Sequence, residues 1–145
     1  MLSRIHPIAG VIGLTTICCF WISSAATELF GSRAAVIEVK QAIPWGLPVL
    51  VLALAITGAS GFRLAGKSTL PAILAKKRRM PFIAANGLLV LIPAAITLAA
   101  LAGRGEFGVV FYAVQAVELV AGAVNIVLMS LNVRDGLRLR RGSPG

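Results

Sequence analysis

Residues 82–102 have the sequence FIAANGLLVLIPAAITLAALA and carry no charged side chain. A basic cluster, KKRR at residues 76–79, precedes this run, and GRGE at residues 103–106 follows it. At 1.5 Å per residue, an α-helix over the run is about 30 Å long, which is the thickness of the hydrocarbon core of a bilayer. The run therefore predicts a membrane-spanning helix.

The rest of the chain repeats this pattern. Apolar runs of spanning length occupy residues 8–28, 45–62 and 107–131. Pro44 and Pro81 would stand in the first turn of the second and third helices, where proline loses no hydrogen bond. The sequence thus predicts an all-α fold, a polytopic bundle of four transmembrane helices that forms a single membrane domain over residues 1–145, with a flexible basic tail at residues 138–145.

The composition excludes a soluble enzyme. Hydrophobic residues make up 58% of the chain and charged residues only 13%, whereas soluble domains carry about 25% charged residues. The loops between the four runs are too short for an extramembrane domain with a core of its own. The sequence contains no recognisable catalytic residue and no metal site.

The basic residues predict the orientation of the helices, because Lys and Arg collect in cytoplasmic loops. Eleven of the 14 Lys and Arg residues lie before the first run, between the second and third runs, or after the fourth. Only Arg33, Lys40 and Arg104 fall on the other side, where they are expected in periplasmic segments. We therefore expect a protein of the bacterial inner membrane with both termini in the cytoplasm.

The net charge of +9 favours anionic lipids as partners. No aromatic residues are interleaved with the basic ones, so binding to nucleic acid is not expected. Residues 61–68, GFRLAGKS, match the letters of a phosphate-binding loop. That chemistry requires a strand before the loop and a parallel sheet, so we expect no nucleotide partner.

The fourth run carries polar residues at helical spacing, which predicts that they share one face of the helix. This stripe consists of Gln115, Glu118, Gly122, Asn125, Met129 and Asn132, and the third run offers a facing set in Asn86, Pro93 and Thr97. We expect an intramembrane polar network formed by Asn86, Thr97, Gln115, Glu118 and Asn125.

Glu118 is the acidic residue predicted to lie deepest in the membrane, with no other ionisable group at its depth. An ionised carboxylate there is costly, so a mostly neutral Glu118 is expected. In that form it could donate to the Leu89 carbonyl that Pro93 leaves free. The role of Glu118 is either structural or that of a proton site in a small-molecule carrier.

His6 is the only histidine of the chain, and Gly10 and Gly13 follow it on the same helical face. These glycines would leave a groove for a porphyrin, with His6 as an axial ligand of haem b. Met80 and Met129 fall at the same level and are the candidates for the second ligand. The alternative is an ordinary interfacial histidine beside closely packed helices.

Four segments of the chain resemble a family of small proteobacterial four-helix inner-membrane proteins that has no settled activity. The segments are RIHP at residues 4–7, FWISSAATELF at residues 20–30, RMPFIAANG at residues 79–87 and NVRDGL at residues 132–137. The resemblance covers most of the chain. It implies the four-helix architecture and assigns no catalytic residue.

These observations leave three functions open. The first is a non-catalytic accessory or scaffold component of a membrane complex, or a homo-oligomer, because a small bundle with a polar seam gains from burial against neighbours. The second is a haem-b redox protein that uses His6. The third is a proton-coupled carrier that uses Glu118.

Overall fold

The computed structural model describes residues 2–141, and these residues form helices and short turns without a β-strand. The helices are α1 (Leu2–Phe30), α2 (Arg33–Ala65), α3 (Pro71–Asn86), α4 (Ile92–Gly103) and α5 (Val109–Arg141). A π-helical turn, Gly87–Leu91, joins α3 and α4 into one continuous third span. The predicted all-α four-helix bundle is confirmed.

The four spans run up and down, so the chain turns alternate between two ends of the bundle. One end holds the N-terminal part of α1, the turn after α2 and the C-terminal part of α5, and we call it the basic end. The opposite end holds the two remaining turns, at residues 31–32 and 104–108.

The second helix begins well before the predicted residue 45. Ser32 caps it, because the Ser32 side chain accepts a hydrogen bond from the Ala35 N–H at 3.2 Å. This cap starts the helix at Arg33, so Pro44 and Pro48 lie inside α2 and Pro44 is not a first-turn residue. The twelve residues 33–44 therefore belong to the span, and this extension carries Lys40 into the bundle.

The last helix also exceeds its predicted bounds. It continues to Arg141, so residues 138–141 of the predicted tail are helical. The rest of the predicted tail, residues 142–145, lies outside the described residues.

The π-helical turn precedes Pro93 in the middle of the third span. Proline has no N–H and its ring clashes with the carbonyl four residues earlier. Just before Pro93, the Ile92 N–H bonds to the Gly87 carbonyl, five residues back, which widens the helix by one residue. The span therefore remains continuous across its proline.

Two hydrophobic clusters form the core. The first joins all four spans through Ile17, Leu50, Ile83 and Met129, and the second lies nearer the opposite end and consists of Val36, Leu98, Ala102 and Phe111.

All four spans are long and apolar enough to cross a membrane. Within the most apolar window of each span, only 17% to 33% of the residues are buried inside the chain. In water such an exposed apolar surface would be unfavourable, whereas lipid chains can cover it. The chain is a membrane protein by these criteria.

Candidate functional site

The polar stripe of α5 lies in the interior of the bundle. Gln115, Glu118 and Asn125 are 4%, 9% and 0% exposed as residues. They do not form one continuous network, because each has different neighbours. Glu118 pairs with Lys40 of α2, whereas Asn125 bonds to Asn86 of the third span.

Glu118 forms a buried ion pair with Lys40. The Lys40 ammonium lies 2.5 Å from Glu118 Oε2 and donates a second hydrogen bond to Ser24 Oγ at 3.0 Å. Lys40 is only 1% exposed and Ser24 only 2%. Three helices are thus connected by charge-assisted hydrogen bonds at one buried point.

Lys40 is buried inside the bundle rather than exposed in a loop, and the prediction that no other ionisable group stands at the depth of Glu118 is wrong. Lys40 occupies an apolar register of α2, between the buried residues Val36 and Ile43. This register is visible in the sequence once the helix is known to begin at Arg33. A lysine stem is also long enough to carry its ammonium from one helix to the next.

The predicted bond from Glu118 to the Leu89 carbonyl is absent from the described residues. Glu118 instead pairs with Lys40, and the Leu89 side chain is 76% exposed on the outside of the bundle. Pro93 and Thr97 are exposed as well, and Thr97 bonds only to the Pro93 carbonyl of its own helix. The prediction that Thr97 joins the polar network is therefore wrong.

Asn86 and Asn125 connect the third span to α5. Asn86 Nδ2 donates to Asn125 Oδ1 at 2.9 Å and to the Ala121 carbonyl at 2.8 Å. Asn125 Nδ2 in turn donates to the Ile83 carbonyl at 3.3 Å. Amide groups of both residues are thus used in holding two helices together.

Two polar side chains near the ion pair have atoms that form no hydrogen bond with another described residue. The amide oxygen and nitrogen of Gln115 are buried without a partner among the described residues, and so is Glu28 Oε1. The Glu28 carboxylate lies within electrostatic range of both Lys40 and Glu118. Sequence reasoning placed Glu28 at the end of a helix and missed this proximity, which depends on how α1 and α2 pack.

A cleft of about 430 Å³ lies at the basic end, between α1, α2, α3 and α5. This volume falls within the range of small-molecule sites, about 300–1,000 Å³. The cleft is lined by His6, Met80 and Met129, the three predicted haem ligands, which lie on three different helices. The structure therefore brings these three residues to one cavity.

The His6 ring is fixed against α2. Its Nδ1 atom lies 3.1 Å from the Thr57 carbonyl and 3.0 Å from Ser60 Oγ. A Cβ atom at Gly61 would lie 3.0 Å from His6 Cε1, so the glycine allows the ring to approach the helix. Metal-binding histidines are usually held in this way, with one ring nitrogen bonded to a carbonyl and the other available.

The two methionines fit a haem site less well. Met80 Sδ accepts a weak hydrogen bond from Asn132 Nδ2 at 3.6 Å. Met129 is 6% exposed and belongs to the central hydrophobic cluster, with its methyl group against Gly13. The surroundings of His6 are therefore compatible with an axial haem ligand. The contacts of Met80 and Met129 do not favour either methionine as the second ligand.

Basic side chains surround the mouth of the cleft. Asp135 is paired with Arg79 at 2.7 Å and with Arg134 at 3.3 Å. Lys77 donates to the Gly66 carbonyl at 2.7 Å. Lys76 lines the cleft and forms neither an ion pair nor a hydrogen bond with another described residue. The mouth thus has a surplus of positive charge.

The described residues contain no group of three or more His, Cys, Asp or Glu side chains that could hold a metal ion. The chemistry they offer consists of buried polar contacts between helices and one cleft with cationic and apolar walls. Comparison of the chain with protein-family models, with curated proteins and with solved structures finds no match.

Proposed function

We propose that the chain is a small integral protein of the bacterial inner membrane that acts as a non-catalytic accessory or scaffold component of a larger membrane complex or of a homo-oligomer. The observation that carries this proposal is that the buried polar groups form hydrogen bonds between the helices of the bundle. Lys40 bonds to both Glu118 and Ser24 across three helices, and Asn86 bonds to Asn125 across two. These residues hold the bundle together.

The outer surface supports the same proposal. In the apolar window of α2 only 17% of the residues are buried within the chain. Most of this helix is therefore left for lipids or for neighbouring helices to cover. In bilayers, helices associate through close packing rather than through the hydrophobic effect, so a rigid apolar bundle can serve as a docking partner.

The size and the visible absorption spectrum of the native protein test this proposal together. We expect the protein, extracted in a mild detergent, to migrate as an assembly larger than one 15.1 kDa chain and to lack a Soret band. Cross-linking in intact membranes before extraction is the control against dissociation by detergent. A monomer in both preparations would contradict the proposal.

Haem b binding through His6 is the alternative that the fixed imidazole favours. When bound, haem supplies one-electron chemistry, and His6 would hold its iron while Lys76 and Lys77 lie at the mouth of the same cleft. A Soret band that His6→Ala abolishes, in the preparation described above, would favour this function. A proton-coupled carrier using Glu118 has less support, since Lys40 holds that carboxylate in a buried ion pair and is itself held by Ser24.

The proposed orientation places the basic end in the cytoplasm. In a variant without Cys18 and Cys19, we expect Glu106→Cys to react with a membrane-impermeant maleimide in intact cells. Lys67→Cys should react only after the cells are opened, since both positions are exposed but lie at opposite ends of the bundle. Labelling of Lys67→Cys in intact cells would reverse the orientation.

A further inference from the structure

The cleft at the basic end combines apolar walls with a single cation that has no partner among the described residues. Val11, Leu54, Phe62, Ile73 and Ile83 contribute to the walls, and Lys76 lies among them. These wall residues come from α1, α2 and α3, and α5 closes the remaining side, so the cleft is a gap between spanning helices. A molecule bound there would need a hydrophobic body and one anionic group near the helix ends.

Lys76 is the group that gives the cleft its charge. The Asp135 carboxylate, which lies nearby, is already bound by Arg79 and Arg134. Lys77, which also lines the cleft, is bound to the Gly66 carbonyl. The three hydrogens of the Lys76 ammonium therefore remain available for an anion.

The shape of the mouth depends on Gly136. A Cβ atom at this position would lie 3.2 Å from Lys76 Nζ. The glycine thus lets the ammonium lie against α5 instead of being pushed away from the cleft. A large side chain at residue 136 would both displace Lys76 and occupy the mouth.

We propose that the cleft binds one anionic phospholipid, with the phosphate on Lys76 and an acyl chain against the apolar walls. Basic pockets between transmembrane helices near the headgroup level are typical sites for acidic lipids. The bilayer itself supplies such a molecule at high local concentration. This site does not depend on the proposed accessory function.

Native mass spectrometry with added lipid tests the site directly. We expect one phosphatidylglycerol to remain on the protein under conditions that remove phosphatidylcholine with the same acyl chains. Lys76→Gln should lower phosphatidylglycerol affinity at least about fivefold, the effect of one lost cation near an acidic headgroup. Lys67→Gln is the matched control, because Lys67 is exposed and does not line the cleft.

A second variant and a second ligand separate the remaining explanations. Gly136→Leu retains the Lys76 charge but displaces its ammonium and fills the mouth, so it should also reduce lipid retention while circular dichroism still reports a helical protein. Equal retention of both lipids, or unchanged retention in Lys76→Gln, would overturn the proposal. Displacement of the lipid by millimolar inorganic phosphate would show that the site binds a free anion. A Soret band in lipid-free protein would show that the cleft holds haem. Either result would also overturn the proposal of a phospholipid site.

Discussion

Replacing Lys40 with Met is expected to destabilise the bundle by about 3–5 kcal/mol, the cost of leaving a buried charge without its partner. Glu118 would lose its ion pair at 2.5 Å while remaining 9% exposed. Glu118→Gln should have a comparable effect, because it leaves the Lys40 ammonium buried with only Ser24 as a strong partner. The free energy of unfolding, measured by denaturant titration in mixed micelles, checks both variants.

The double variant Lys40→Met, Glu118→Leu separates a charge effect from a packing effect. Because both charges are removed together, it should recover most of the stability that either single variant loses. Lys67→Met, which changes an exposed lysine in the same way, should leave the unfolding free energy within about 0.5 kcal/mol of the parent protein. Single variants as stable as the parent would refute the structural role of the pair.

Replacing Gly122 with Val is expected to cost about 2–4 kcal/mol, from about 1–3 for overpacking and about 1 for a lost hydrogen bond. A Cβ atom at Gly122 would lie 2.8 Å from Trp21 Cδ1. The indole cannot move away freely, because Trp21 Nε1 donates to the Leu119 carbonyl at 2.8 Å. The substitution should therefore separate α1 from α5, and Trp fluorescence together with the unfolding free energy measures the change.

Gly58→Ala is the matched control for this substitution. A Cβ atom at Gly58 would meet only the Met80 methyl group, at an ordinary contact distance of 3.6 Å. Alanine also has a higher helix propensity than glycine, so this variant should be neutral or slightly stabilised. Equal losses at Gly122 and Gly58 would mean that helix flexibility, and not the contact with Trp21, explains the result.

The polar stripe of α5 illustrates how far sequence reasoning reaches. The spacing of Gln115, Glu118 and Asn125 places them on one helical face, and all three are buried. Asn86 and Asn125 also lie at matching depths and bond at 2.9 Å. Depth along an antiparallel helix pair can be counted from the sequence, whereas the rotation of a helix about its axis cannot. The outward orientation of Thr97 was therefore not predicted.

Lys40 shows where the sequence misleads. A charge near the end of an apolar run is normally assigned to a loop, because burial of an unpaired ammonium is unfavourable. The Ser32 cap begins α2 early and places Lys40 in the register of Val36 and Ile43. Its partner, Glu118, is 78 residues away in the chain, so no local sequence pattern predicts the pair.

The sequence by itself determined the four spans, their apolar surfaces and the asymmetry of basic charge between the two ends, because each depends on the length and composition of a single segment. Only the tertiary structure decided that Lys40 pairs with Glu118 and that His6, Lys76 and Met129 line one cleft. Such contacts join residues of different helices. They depend on how the helices rotate and pack against one another, and a one-dimensional pattern of hydropathy and charge does not contain that information.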